Sequence, residues 1–376
     1  MIRRLTLTVV LLPTALAAAT LTLTAPQEYQ VIQRRSATAG EIQIRGQLAV
    51  SDATTAATVE VRVLASTGDT GRWQRSQTAI VASQLKATAA APAGGWHRVE
   101  VRVREGDRVI AEASVAHVGI GEIFVVAGQS NSANHGEEKQ TTRTGRVVSG
   151  DGTTWKLAND PQPGASGNRG SFMPPLGDLL VERFNVPVGF IPCGVGATSV
   201  REWLPEGARF PHPPTIEKRV RRLPDGQWES KGEAYATLVE RMRQVEPRGF
   251  RAVLWHHGES DANQQDPTRT LPGTLYQESL TTIVRASRRA IGWDAPWFVA
   301  QVSYHTPSDE ASPEIRTAQA ALWREGLALE GPDSDALKGE WRERNGQGVH
   351  FSGPGLREHA ARWMEKIAPW LESQLR

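Results

Sequence analysis

Two kinds of hydrophobic patterning divide the chain, and the change falls near Gly119. Before it, apolar and polar residues alternate. Glu41-Ile42-Gln43-Ile44-Arg45-Gly46, Thr58-Val59-Glu60-Val61-Arg62-Val63 and His97-Arg98-Val99-Glu100-Val101-Arg102-Val103 all repeat with period two. That pattern belongs to strands with one buried and one wet face. Gly68-Asp69, Gly94-Gly95 and Gly106-Asp107 read as turns, and Ala53 to Ala57 and Ala87 to Pro92 as small-residue loops. Short strands without helical period predict a small antiparallel β-sandwich over residues 20–119. It carries no catalytic constellation, so an accessory or structural role is expected, with carbohydrate binding as the alternative.

After Gly119, unbroken apolar runs alternate with stretches of helical period. Ile123 to Ala127, Val188 to Pro192, Ala252 to Trp255 and Trp297 to Val302 read as buried strands, with a weaker one at Leu327 to Leu329. Helices are predicted over Leu176 to Phe184, Glu233 to Val245, Leu275 to Ala290, Pro313 to Leu327 and Pro354 to Leu371. Such alternation predicts an α/β domain over residues 120–376, a parallel sheet covered by helices on both faces. Asn134 to Gly170 and Gly207 to Gly232 are rich in Gly, Pro and polar residues. They read as long loops over the carboxyl edge of the sheet, shaping a cleft.

Composition narrows the partners. The 376 residues are 39% hydrophobic with 12 tryptophans, ample for a packed core. Basic and acidic residues number 43 and 41, a net charge of +2, which gives no reason to expect nucleic acid or an anionic membrane. Lys218-Arg219-Val220-Arg221-Arg222 and Arg285 with Arg288-Arg289 read as solvated faces, with holding an acidic glycan as the alternative. The start, Met1-Ile2-Arg3-Arg4 followed by Leu5 to Leu12 and Pro13-Thr14-Ala15-Leu16-Ala17-Ala18-Ala19, has the layout of a signal peptide over residues 1–19, cleaved after Ala17 or Ala19. The expected location is therefore secreted or periplasmic. The apolar run is too short for an integral membrane span. The single cysteine, Cys193, follows an apolar strand and reads as a buried structural thiol, so no disulfide forms within the chain. The histidines show no zinc spacing, and neither metal nor cofactor is expected. Nothing in the sequence sets an oligomeric state.

The chemistry gathers at three polar turns that follow predicted strands. They are Gly128-Gln129-Ser130-Asn131, Cys193-Gly194-Val195-Gly196-Ala197-Thr198-Ser199 and Trp255-His256-His257-Gly258-Glu259-Ser260-Asp261. Parallel strands bring them to one sheet edge, where open α/β sheets place ligands. A fourth block, Gly346-Gln347-Gly348-Val349-His350-Phe351-Ser352-Gly353-Pro354-Gly355, feeds the last helix, with Ser352 as N-cap. A serine hydroxyl needs a base to take its proton, and histidine suits that near neutral pH. Backbone N–H groups of Ser130 and Gly196 and a side-chain donor from His257 can face a developing oxyanion.

These four blocks, in this order, resemble those of the SGNH hydrolase superfamily, and within it the sialate O-acetylesterase and carbohydrate acetylesterase branch. The resemblance spans roughly residues 120–370. It implies a three-layer α/β/α fold with a flavodoxin-like parallel sheet, often accompanied by a β-sandwich. It further implies no metal, hydrolysis of acetyl esters on sugars, Ser130 as nucleophile, His350 as base, and Ser130, Gly196 and residue 257 as the oxyanion hole. Three departures stand out: His257 where the family has Gln, Gly196-Ala197-Thr198 where it has Gly-Gly-Thr, and Gln347 where it has the acid. Either a Ser-His dyad works with a neutral orienter, or a carboxylate arrives from elsewhere. Asp335 is favoured because it shares a connection with His350. Glu259 and Asp261 are candidates more expected to brace their own turn.

Other side chains carry weaker expectations. Trp203 and Trp255 read as core. Trp155 and Trp228 read as sugar platforms or loop anchors. His135 is pocket-lining or solvent-facing, and Arg169 and Arg201 either hold substrate oxygens or form structural salt bridges. The reading is an exported serine esterase that hydrolyses O-acetyl esters on carbohydrates through a Ser130 acyl-enzyme. The alternatives are a catalytically idle glycan-binding protein using the same cleft, and an esterase for lipid or aryl esters.

Overall fold

One strand, Arg108–Gly128, joins the two patterns. Its first half is exposed or half-buried apart from Ala111 and pairs antiparallel with Gly94–Glu105. From Val118 onward every residue is buried, and the strand lies parallel to Val188–Pro192 on one side and Ala252–His256 on the other. The sequence changes from polar-alternating to wholly apolar where the strand changes from one-sided to two-sided burial. The computed structural model describes residues 19–49, 57–65, 71–76, 79–81, 83–245 and 247–376. The expected signal peptide lies outside them except for its last position, as do the Gly68-Asp69 turn and Ala53 to Ala56.

Upstream of Gly119 the described residues form strands only. Thr20–Ala25, Ala39–Ala49, Gln84–Pro92 and Ala79–Val81 make one antiparallel sheet. Thr58–Ala65 pairs with Gly94–Glu105, which pairs with the long strand. Ile42, Ile44, Leu48 and Leu85 from the first group share one apolar cluster with Val59, Val61, Val99, Val101 and Val103 from the second. Ala87 to Pro92, expected as a loop, lies inside the strand Gln84–Pro92, paired along Ala39–Ala49. Alanine is a poor strand former, but here alternate positions Leu85, Ala87 and Ala91 are buried, and packing outweighs propensity.

The parallel sheet runs in the order Val147–Gly150, Val188–Pro192, the long strand, Ala252–His256, Trp297–Gln301 and Leu329–Asp333, with Trp155–Leu157 antiparallel at one edge. Alternate residues supply its two faces. Ile123, Val125 and Ala127 join a cluster with helices Glu233–Gln244, Gly273–Ile291 and Pro313–Arg324, while Phe124 and Val126 join another with helices Met173–Phe184 and Gly353–Gln374. Among the described residues no helix is long and apolar enough to cross a membrane.

Two expected loops hold further strands. Val147–Gly150 and Trp155–Leu157 fall within 134–170, and a small antiparallel sheet of Arg209–Phe210, Trp228–Ser230 and Val220–Arg222 falls within 207–232. After the long strand the chain steps to one side, to Val147–Gly150 and then Val188–Pro192, and only then to the other, to Ala252–His256. The reversal makes a crevice at the carboxyl ends of these strands, where such sheets bind ligands. Ser130 and His257 both follow strands that border it.

At the junction of the two patterns sits Glu122, with no exposed surface. Its carboxylate accepts from Arg34 Nε at 2.6 Å, Arg251 Nε at 2.7 Å and Gln33 Nε2 at 2.8 Å. This buried acid is paired from both sides of the junction, as a buried charge requires.

Candidate active site

The turn carrying Ser130 is tight for a steric reason. Gly128 has φ +124°, and a Cβ there would sit 2.1 Å from the His256 carbonyl oxygen. Only glycine lets the strand end press so closely on its neighbour. Ser130 opens the 3-10 turn Ser130–Ser132 and is 6% exposed. Its neighbours fasten it to the other blocks. Gly258 N–H and Ser260 N–H donate to Gln129 Oε1 at 3.3 and 3.1 Å. Asn131 Nδ2 donates to Glu259 Oε1 at 2.9 Å and to the Val349 carbonyl at 3.2 Å. The residue after Ser130 therefore touches the residue before His350.

His350 meets a carboxylate, and it belongs to Glu343. His350 Nδ1 lies 2.8 Å from Glu343 Oε1. A carboxylate only accepts, so Nδ1 carries the proton and Nε2 is left with its lone pair, the form a general base needs. The pairing is built by the backbone. Arg344, Asn345 and Gly346 all have positive φ, at 54°, 55° and 87°, a left-handed run that turns the chain back. Glu343 N–H donates to the His350 carbonyl at 2.9 Å. A Cβ at Gly348 would lie 2.2 Å from Glu343 Cγ, so glycine there makes room for the acid. Asp335, the expected acid, is engaged elsewhere, accepting from Ser303, Tyr304 and Arg316. Gln347, at the family's acid position, lies within the loop that brings Glu343 round.

The expected oxyanion donors divide. Val195 N–H donates to the Gly128 carbonyl at 2.9 Å, which holds the Gly196 turn against the Ser130 turn. Gly196 N–H itself points to Ser166 Oγ, 2.7 Å away. His257 does not fit the role expected of it. It is fully buried, its ring stacks on Trp255, and Nε2 lies 2.8 Å from the Thr198 carbonyl. A carbonyl only accepts, so the Nε2 proton is already spent there. Burial holds the ring below the usual histidine pKa and keeps it neutral. His257 thus supports the Gly196-Ala197-Thr198 turn from beneath and offers nothing to the crevice.

Comparison with known proteins decides the family. The family described as carbohydrate esterase, sialic acid-specific acetylesterase, matches residues 120–368. The chain belongs to this acetylesterase family. It is a carboxylic ester hydrolase. Among solved structures, a carbohydrate acetylesterase from Xanthomonas citri aligns over 93% of this chain and 76% of its own, at 15% identity and a TM-score of 0.54. A protein from Arabidopsis thaliana aligns over 68% and 99%, at 17% identity and a TM-score of 0.44. A family two carbohydrate esterase from Clostridium thermocellum, in complex with cellohexaose, aligns over 89% and 93%, at 12% identity and a TM-score of 0.38. The Xanthomonas likeness is one of fold. No match was found among curated protein sequences.

The rest of this acetylesterase's polar edge is scaffold. Asp261 accepts from Ser199 Oγ at 2.5 Å and Val200 N–H at 2.8 Å, bracing the neighbouring turn, while Glu259 holds Asn131. Arg201 is wholly buried against Asp261 and the carbonyls of His212, Pro213 and Arg269, so it is structural. Arg169 Nη1 lies 3.6 Å from Glu343 Oε2, behind the His350 pair. Trp203 and Trp255 pack edge to face in the core. Trp155 and Trp228 are half-buried residues of short strands. Cys193 is buried, and desolvation pushes its thiol up to about 12. Sequence reasoning missed Glu343 and the contact of Ser166 with Gly196. For Glu343 the signal is faint: Asn345-Gly346 tolerates left-handed backbone just before the histidine loop, but Arg344 does not favour it.

Proposed function

We propose that the chain is an exported serine esterase that removes O-acetyl groups from carbohydrate through an acyl-enzyme on Ser130. The observation that carries this reading is the Glu343–His350 pair on the loop whose Val349 carbonyl is hydrogen-bonded to Asn131. Family membership supports a carbohydrate ester as substrate. His350 Nε2 takes the Ser130 proton as Oγ attacks the acetyl carbon, and Glu343 steadies the imidazolium that forms. The Ser130 N–H faces the oxyanion. Collapse expels the sugar hydroxyl, which takes its proton from His350. Water, deprotonated by His350, then attacks the acyl-enzyme and releases acetate.

A three-layer α/β/α arrangement over 120–376 and a β-sandwich over 20–119 complete the reading, supported by apolar clusters on both faces of the parallel sheet and a separate one upstream. Secretion or periplasmic delivery rests on the signal-like start. The idle glycan-binding alternative drew on the missing acid at Gln347, and Glu343 weakens it. Ser130→Ala is expected to abolish release of acetate from acetylated sugars and reaction with a fluorophosphonate, with the thermal midpoint unchanged. Full turnover in that variant would refute the assignment.

A further inference from the structure

His257 leaves the oxyanion hole one side-chain donor short, and the structure holds a replacement. Ser166 Oγ takes the Gly196 N–H at 2.7 Å and lies 3.0 Å from His135 Nε2. Backbone bonds pin Ser166 beside the nucleophile's turn. Its N–H donates to the Gly194 carbonyl, and its carbonyl accepts from Asn134 N–H, both at 2.9 Å. The His135 ring stacks on His350 with centroids 5.5 Å apart. A Cβ on Gly196 would meet His135 Nε2 at 2.8 Å, so the imidazole is seated against that backbone. Gly196 N–H and the His135 ring thus converge on one hydroxyl held against the Gly196 turn.

We propose that Ser166 is the side-chain donor of the oxyanion hole and that His135 and Gly196 hold it there. This rests on the Ser130 esterase reading. With an ester bound, His135 Nε2–H and Gly196 N–H both donate into Ser166 Oγ, and its O–H is directed to the acyl oxygen. A hydroxyl that accepts twice is a stronger donor. His135 is suited to this task as a neutral ring. Burial foremost, then the neighbouring His350 and Arg169, holds its pKa below the ordinary histidine value, against a smaller opposite pull from Glu343. Gly196 acts through Ser166 rather than directly, and His135 is a positioning residue.

The test uses the full chain with 4-nitrophenyl acetate and a peracetylated monosaccharide. Ser166→Ala is expected to lower kcat on the order of 10²-fold, the usual effect of removing one oxyanion donor, with KM and the thermal midpoint near those of the unmodified chain. Ser166→Thr, which keeps the hydroxyl, restores most of the loss. His135→Phe keeps the stacking and lowers kcat by a smaller factor, and His135→Gln, which returns an N–H, recovers part of it. An unchanged or faster kcat in Ser166→Ala would show that the hydroxyl only plugs Gly196, and a loss confined to KM would make it a binding group. Either result overturns the proposal while leaving the esterase reading intact. Absence of Ser130-dependent turnover in the unmodified chain would remove both.

Discussion

Glu343 and Asp335 lie in the same connection between the last strand and the last helix, and their side chains are equally shielded, each 5% exposed. Their surroundings differ. Asp335 Oδ1 receives the N–H groups of Ser303 and Tyr304 at 2.8 and 2.9 Å, and Oδ2 receives Ser303 Oγ at 2.7 Å and Arg316 Nη1 at 2.9 Å. Both oxygens are filled, by the turn that follows the strand Trp297–Gln301 and by Arg316 of the helix Pro313–Arg324. Glu343 sits before a left-handed kink and presents one oxygen to His350 and the other toward Arg169. What separates a clamp from an orienter is the set of donors that the backbone delivers to each carboxylate. Depth of burial and nearness in sequence to the histidine do not decide it.

The largest expected effect follows from Glu343→Gln. Losing the charge behind the imidazole should cut kcat by about 10²–10⁴-fold and slow fluorophosphonate labelling of Ser130, with the thermal midpoint largely kept. Asp335→Asn should do the reverse. Turnover per folded molecule should hold, while urea unfolding shows a loss of about 1–3 kcal/mol from the unmatched Arg316 and backbone donors. If the two variants exchange phenotypes, the contrast collapses and Asp335 returns as the acid.

A third buried carboxyl sharpens the comparison with the smallest effect. Glu202 is sealed from solvent and caps Ser199 N–H at 2.7 Å, but among the described residues its Oε1 has no hydrogen-bond partner, with Arg219 at 3.6 Å. Desolvation pushes it up from 4.5 to about 7. A folded pKa above the unfolded one means that this group's contribution is whole below 4.5 and is lost as pH rises to about 7. Glu202→Gln should therefore raise the thermal midpoint above neutral pH, and the gain should vanish in acid. A gain that grows on acidification would contradict the sign.

Long-range patterning was readable because it is a burial pattern. The runs at Ile123, Val188, Ala252 and Trp297 are all strands, and every predicted long helix is present with ends shifted by a few residues. Val147–Gly150 escaped notice because four residues between polar neighbours show no period. Ser130, Gly196 and His350 announced themselves by following or feeding sheet-edge turns. Glu343 did not, because its approach to His350 depends on positive φ at Arg344 and Asn345, which local pattern barely encodes. His257 misled for a different reason. The sequence cannot say that its proton is already taken by a carbonyl from the adjacent turn.

The strand Arg108–Gly128 leaves no slack between the upstream sheet and the serine turn. Adding or deleting a single residue near Gly119 would shift every later position by one, so that Phe124 and Val125 trade faces and both helical layers meet the wrong side chains. The upstream module is thus a splint, not a bead on a string. Length changes should be tolerated in its outer turns and forbidden along this one rail, where Glu122 already bolts the two halves together.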